Sequence, residues 1–189
     1  MNPVDEKRAL RQRIRQLKAE NRLDDEQRTA LADNVFGVIE RTLTAFSECH
    51  HILMYHELPD ELPATRWALK WQSDGKRIYL PRIKGDTLDV VELDNDLAPD
   101  ARYGILEPTG APLDDLSLID LAIVPAVALD CHGNRMGRGK GFYDRLLPRL
   151  SRAITVGVCY DFQLVDRIPT DAHDVPLQFV VTPTFHNLL

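Results

Sequence analysis

Residues 134–144 read Asn-Arg-Met-Gly-Arg-Gly-Lys-Gly-Phe-Tyr-Asp and place three glycines, three cations and an acid in a single turn. The preceding run, Leu121-Ala-Ile-Val-Pro125, is short, apolar and β-branched at its centre, as a strand buried on both faces is. The following run, Phe142 to Leu150, suits a helix. A strand, a glycine-rich turn and a helix in succession form the unit from which an α/β fold is built. Gly137, Gly139 and Gly141 permit positive φ and carry no Cβ, so backbone N–H groups can point at an approaching anion. The start of the helix adds partial positive charge. Arg135 and Arg138 supply bidentate donors, and Lys140 supplies a mobile point charge. The turn reads as a phosphate cradle. Asp144, one turn into the helix, would be repelled by a polyphosphate unless a divalent cation lay between them, and hard oxygen ligands of this kind suit magnesium. The segment points to a metal-bound nucleotide.

It is not one of the familiar nucleotide loops. A Walker A sequence needs glycine at position 134 and Ser or Thr at position 141, where this chain has Asn134 and Gly141. The dinucleotide fingerprint fails as well, since the spacing is Gly-x-Gly-x-Gly and no early strand-helix-strand unit carries it. The plain alternative is a solvated basic turn whose glycines serve geometry alone.

The 189 residues suit one domain, residues 1–189, with a core large enough to fold unaided; no Ser/Gly-rich or Pro-rich linker divides them. A formal net charge of −6 argues against a nucleic-acid partner, so any cationic site has to be local. Cys49, Cys131 and Cys159 are odd in number and widely spaced, and the first residues are charged rather than a secretion signal. Both features favour a reduced cytoplasm. Asp120 and Pro125 interrupt the most apolar region, so no membrane span is expected. No internal repeat is visible, and a monomer is the working expectation.

Asn2 can cap a helix with Pro3 at its first position and Asp5 and Glu6 in its first turn, and Leu10, Ile14 and Leu17 mark its apolar stripe. Lys7 and Arg11 lie four apart on that helix and repel by about 0.2–0.5 kcal/mol, which an anion between them would relieve. The alternative is a solvated basic face extended by Arg8, Arg13, Arg15 and Lys18. A second helix starts near Asp24, with Gln27 as its partner in a capping box, and carries Leu31, Val35, Val38 and Ile39 inward to about Phe46. Residues 52–55 read as the first strand. A turn with Pro59, Asp60, Glu61 and Pro63 then leads to a helix whose Trp67 and Trp71 are expected in the core. Strands at 77–80 and 88–93 precede a turn-rich stretch over residues 94–117, and strands at 153–158 and 179–182 complete the set.

Helices alternating with strands predict an α/β fold, a single-domain, open, mostly parallel sheet with helices on both faces. Ligands of such sheets gather at the carboxyl ends of strands. The glycine turn, residues 55–61 and residues 161–174 each leave such an end.

His50-His51 and Cys131-His132 lack the spacing of a structural zinc site, and there is no Cys-x-x-Cys. Asp174, after His173 in a polar turn before the last strand, could share a metal with Asp144, or be a solvated loop acid. Cys131 and Cys159, near strand ends, read as buried packing residues, the alternative being oxidisable thiols, and no function is assigned to them.

In order along the chain, these residues resemble the 5-formyltetrahydrofolate cyclo-ligase family, also called methenyltetrahydrofolate synthetases. The resemblance begins with Lys7-x-x-Leu10-Arg11 and continues through Asp60-Glu61, Tyr79-Leu-Pro81 and Tyr103-Gly-Ile-Leu-Glu-Pro108. Its centre is the segment from Gly133 to Asp144, and Gln163 and His173-Asp174 close it. The central segment is highly specific, and the others persuade by their sequence. Phe142 stands where Tyr is frequent, Tyr103 where some members have Trp, and Pro183 where many have an acid.

The resemblance implies an ATP- and magnesium-dependent conversion of 5-formyltetrahydrofolate to 5,10-methenyltetrahydrofolate, with release of ADP and phosphate. By carry-over, Lys7 and Arg11 contact ATP, and Arg135, Met136, Gly137, Arg138, Gly139, Lys140, Gly141, Phe142 and Tyr143 wrap its phosphates. Arg138 and Lys140 stabilise the transfer, and Asp144 and Asp174 hold magnesium. Tyr55, Glu61, Tyr103 and Arg138 border the folate. Two other classes fit the same residues. A sugar-phosphate or acyl-transfer enzyme could use a similar sheet, but has no need of the Lys7/Arg11 pair beside two metal-directed acids. A folate- or nucleotide-binding module without turnover would present the same loop and release no ADP.

Overall fold

In the computed structural model, which describes residues 3–94, 97–99 and 106–189, the apolar runs become short strands buried on both faces. The elements in chain order are α1 (Pro3–Glu20), α2 (Asp25–Thr42), β1 (His51–Leu53), α3 (Thr65–Ser73), β2 (Arg77–Lys84), β3 (Thr87–Glu92), β4 (Leu97–Pro99), β5 (Leu106–Pro108), β6 (Leu121–Pro125), β7 (Ala128–Leu129), β8 (Arg135–Met136), α4 (Phe142–Leu146), β9 (Ile154–Val158) and β10 (Phe179–Val181). Six strands form one sheet in the order β10-β9-β6-β1-β2-β3. Every pairing is parallel except that of β2 with β3. The open, mostly parallel sheet expected from the sequence is present.

Side-chain alternation along the strands decides where the helices pack. On β6, Leu121 and Ile123 join one buried cluster while Ala122 and Val124 join another. Ile52 and Leu53 of β1 divide the same way, as do Ile78 and Tyr79 of β2. Helices α2 and α3 cover the first face through Val35, Phe36, Ile39 and Trp71. Leu146, Leu147 and Leu150, from α4 and the 3-10 turn after it, cover the second. Trp71 is fully buried, edge-on to Phe36, and its indole N–H donates to Glu40. Trp67 packs against the same cluster, so both tryptophans serve the core as expected. The Asp24–Gln27 capping box forms at the start of α2. Ile14 of α1 packs with Ala128, Met136 and Ile168, which brings α1 against the hairpin of β7 and β8.

Several boundaries differ from the sequence reading, each for a local reason. Helix α2 ends at Thr42, and Phe46 instead occupies a 3-10 turn, packed on Trp71. Strand β2 continues through Pro81 to Lys84 because β1 has already ended there, so nothing on that side requires the missing N–H. Gly85, at φ +61, then turns the chain into β3. The stretch over residues 94–117 is not structureless, since β4 pairs antiparallel with β5 and a 3-10 turn spans Leu116–Leu118. Helix α4 has five residues rather than nine, because Pro148 lacks the N–H that would extend it, and a 3-10 turn follows. So short a helix adds little dipole, and the full charges of the glycine turn have to act in its place. A hairpin, β7 with β8, also separates β6 from that turn. Cys159 is buried, but Cys131 is exposed, its thiol 3.5 Å from His132 Nδ1, contrary to expectation. Asn2 lies outside the described residues.

Gly133 closes the β7–β8 turn at φ +83, where a Cβ would lie 1.9 Å from the Leu177 carbonyl oxygen. A left-handed backbone alone costs an L-residue roughly 1–2 kcal/mol, and here the backbone of residue 177 must also shift. Gly133→Ala should therefore cost more than about 2 kcal/mol in urea unfolding. An unchanged midpoint would mean that the turn relaxes freely.

Candidate active site

From β1 the chain passes to β2 on one side, whereas β6, on the other side of β1, leads to β9 and β10. The strand order thus reverses between β1 and β6, and ligands of open α/β sheets bind outside the carboxyl ends at such a reversal. A cavity of ≈ 180 Å³ lies there. Tyr55, His56, Leu58 and Glu61 enter it from the end of β1, and Ala126 and Val127 from the end of β6. Pro81, Ile83 and Leu88 add an apolar wall from the β2–β3 hairpin, with Glu107 of β5 beside them. Lys7 and Arg11 reach in from α1, Asp174 from the segment before β10, and residues 135–144 close the remainder.

Two buried polar side chains hold these segments in place. Asp130 is 0% exposed and accepts from the backbone N–H groups of His132, Asn134 and Ile168 and from the Asn134 amide. One carboxylate thereby fixes both the β7–β8 turn and the chain at Ile168, against which α1 packs. The Gln163 amide donates to the carbonyls of Ala126 and Val127 and accepts from the Tyr160 N–H, so the β6 exit is clamped from β9. Neither role was legible in the sequence, although Asp130 with Gly133-Asn134 has the composition of a tight turn. The Glu61 carbonyl is held from Arg28 at 3.1 Å and from the Tyr160 hydroxyl at 3.1 Å, which fixes the loop after β1.

Charge is distributed in ion pairs between segments. Lys7 Nζ donates to Asp174 at 2.5 Å and Asp171 at 2.9 Å. Burial lowers the Lys7 ammonium, but these two carboxylates outweigh it and hold the group above its ordinary value. Arg138 Nη2 reaches Asp60 at 2.5 Å and Glu61 at 3.0 Å. Burial likewise opposes the Arg138 charge, and Glu61 and Asp60 restore it. Arg135 pairs with Asp144 at 2.8 Å and stacks its guanidinium over Tyr143, 5.3 Å from the ring centre. Its Nε is buried and donates to nothing among the described residues. Arg11 donates to the Gly137 carbonyl at 3.2 Å, which joins α1 to the glycine turn. Lys140 is exposed, and no ion pair forms on it among the described residues. Burial pushes the phenols of Tyr55 and Tyr143 up, with Glu61 adding to it, so both stay neutral.

The structure gathers Lys7, Arg11, Tyr55, Glu61, Arg135, Met136, Gly137, Arg138, Gly139, Lys140, Gly141, Phe142, Tyr143, Asp144 and Asp174 around this one cavity. Tyr103 lies outside the described residues. The sequence reading named Asp60 and Lys18 without giving either a partner and did not single out Asp171; the partners of all three are distant in the chain.

The sequence profile of the 5-formyltetrahydrofolate cyclo-ligase family matches residues 3–183. The chain belongs to this family. The 5-formyltetrahydrofolate cyclo-ligase of Escherichia coli K12 is 38% identical to it over 122 residues, which cover 60% of this chain and 66% of that protein. The mouse 5-formyltetrahydrofolate cyclo-ligase is 27% identical over 187 residues, covering 91% of this chain and 89% of the relative. The NMR structure of Aquifex aeolicus 5,10-methenyltetrahydrofolate synthetase superposes with a TM-score of 0.83 at 30% identity, covering 97% of this chain and 92% of that one. The match thus spans just under two thirds of the E. coli relative and nearly all of the Aquifex chain. The resemblance read from the sequence and the cyclo-ligase family fold agree.

Asp60 connects this family site to stability. Burial raises its carboxyl, but Lys18 and Arg138 outweigh burial and hold it below the ordinary aspartate value. A lowered folded-state value means that its contribution is complete above the unfolded value and is lost as the pH falls through the folded one. Asp60→Asn should therefore shrink the difference in unfolding free energy between pH 6 and pH 3, a window that brackets the ordinary aspartate value of about 3.9. An undiminished difference in urea titrations at the two pH values would remove Asp60 from this role.

Proposed function

We propose that this chain is a 5-formyltetrahydrofolate cyclo-ligase that uses ATP and magnesium to form 5,10-methenyltetrahydrofolate, releasing ADP and phosphate. The observation that carries the reading is the single cavity at the strand-order reversal. It brings the α1 cations from one end of the chain within reach of the same ligand set as Tyr55, Glu61, the glycine turn and the acids Asp144 and Asp174.

The chemistry asks the protein mainly to position two substrates and to offset charge. The formyl oxygen on N5 attacks the γ-phosphorus of ATP and ADP departs. N10 then closes onto the activated carbon and gives up its proton to solvent, and the carbon–oxygen bond breaks as the oxygen leaves with phosphate. Lys7 and Arg11 hold the nucleotide, and the buried Arg135 Nε is a donor in want of an acceptor, which a phosphate oxygen supplies. Arg138 and Lys140 offset charge on the transferring phosphoryl group. Tyr55 and Glu61 border the folate. Asp144 and Asp174 fit magnesium, which binds through one or two carboxylates completed by substrate phosphates and water rather than in an all-protein cage. When bound, the ion neutralises phosphate charge; both acids meanwhile rest on Arg135 and Lys7.

At ≈ 180 Å³ the cavity is smaller than the roughly 300–1,000 Å³ of most ligand sites, so the two substrates extend past its enclosed part. The phosphates of ATP then take the places of Asp60, Glu61, Asp171 and Asp174 on Arg138 and Lys7. Three free thiols support a cytoplasmic enzyme. Among the described residues no helix is long and apolar enough to cross a membrane.

The deciding assay follows absorbance of the methenyl product from 5-formyltetrahydrofolate, with and without ATP and magnesium. Product is expected only with both. Folate binding without product or ADP release would instead make the chain a sequestering module. Lys140→Ala should lower turnover by about 10²–10³-fold with the fold intact, because this cation is exposed. Near-normal turnover would end its assignment. Asp144→Asn should move the magnesium titration to higher concentration, and an unshifted titration would leave Asp144 as the partner of Arg135 alone.

A further inference from the structure

Lys140 has no side-chain anchor of its own. Among the described residues its ammonium makes no hydrogen bond or ion pair, and it stands between Gly139 at φ +89 and Gly141 at φ +66. Its place is therefore set by the backbone of the turn. Two arginines hold carbonyls of that backbone: Arg11 holds Gly137, and Arg145 of α4 donates through Nη2 to Lys140 at 2.7 Å. The same guanidinium donates through Nε at 2.8 Å, and through Nη2, to the carbonyl of Asp86 in the turn between β2 and β3. Gly141 leaves room for it, since a Cβ there would lie 2.8 Å from Arg145 Nη1. The group also covers the Phe142 ring, 5.8 Å from its centre. Arg145 thus ties the glycine turn to the hairpin whose Pro81, Ile83 and Leu88 form the apolar wall of the cavity.

A bridge of this kind suits arginine, whose planar group carries its donors in a fixed fork, where a lysine offers one compact ammonium on a flexible stem. Arg145 is exposed, and its hydrogen bonds replace equivalent ones to water, so the bridge orders the turn more than it stabilises the fold. On the cyclo-ligase reading, on which this inference rests, Lys140 offsets charge on the transferring phosphoryl group. Displacing such a group by about 1 Å costs up to about 10²-fold in rate. We propose that Arg145 is a positioning residue, which sets Lys140 against the hairpin and acts on the transfer through that lysine alone.

Arg145→Met keeps the stem over Phe142 and removes the donors of the bridge. It should lower kcat about tenfold, with the KM values for ATP and 5-formyltetrahydrofolate and the melting temperature as in the parent. Arg145→Lys keeps the charge without the fork and should lose kcat as well; full turnover in that variant would mean that charge alone matters and would overturn the bridge. In a Lys140→Ala background, Arg145→Met should change kcat by less than about twofold, the coupling expected when one residue acts through the other. An equal tenfold loss in both backgrounds would overturn the proposal and leave Arg145 as a support for α4. Unchanged kcat in Arg145→Met, or in Lys140→Ala, would overturn this role while leaving the cyclo-ligase reading in place. A parent chain without turnover would overturn that reading and the role with it.

Discussion

Lys7, Arg11, Arg135, Arg138 and Lys140 meet around one cavity of a chain whose overall charge is −6, and their mutual repulsion has to be offset before any ligand arrives. The fold offsets it with carboxylates from distant segments: Asp60 and Glu61 against Arg138, Asp144 against Arg135, and Asp171 and Asp174 against Lys7. Pairs that are partly buried are screened less by salt than exposed ones. They also fasten α1, the loop after β1 and the glycine turn to one another. On the proposed reading an incoming polyphosphate takes over these cations and releases the acids, two of which then face magnesium. On that reading the charges that assemble the site are also the ones that bind the nucleotide.

Such an exchange needs a frame that does not move with it. Asp130 supplies part of that frame by gathering four N–H donors on one fully buried carboxylate, and Gln163 supplies more by holding the exit of β6. The sheet beneath is buried on both faces, with α2 and α3 on one and α4 on the other, so its strand ends are fixed relative to each other. Precision at the site therefore comes from the core and from buried polar contacts. Among the cations of the turn, Lys140 is the exposed one that forms no ion pair with the described residues.

What could be read in advance was chemistry with local determinants. The cations and glycines of residues 135–141, the Lys7/Arg11 spacing, the capping box at Asp24 and the paired tryptophans each depend on residues within a few positions. What escaped was pairing. The β7–β8 hairpin and the β4–β5 sheet are too short for alternation to show, and each is held by contacts from elsewhere, such as Ile168 on Asp130 and Arg82 on Pro108. The helix after the glycine turn was read as longer because the apolar residues to Leu150 do continue on one face, through a 3-10 turn that Pro148 imposes. Cys131 was read as buried because it lies near a strand end, but the turn at Gly133 carries it into solvent.

By itself the sequence determined the alternating fold class, the family and the identity of the groups able to do chemistry, because hydrophobic period, turn residues and charge spacing act over a few residues. Only the tertiary structure decided which cation meets which acid. Lys7 and Asp174 are 167 residues apart in the chain, and Arg138 and Glu61 are 77 apart, so neither pairing has a local signature. The same holds for the wall on which Glu107 sits. Its place in the cavity follows from β5 lying against β2, a contact set by burial and backbone pairing rather than by any spacing along the chain.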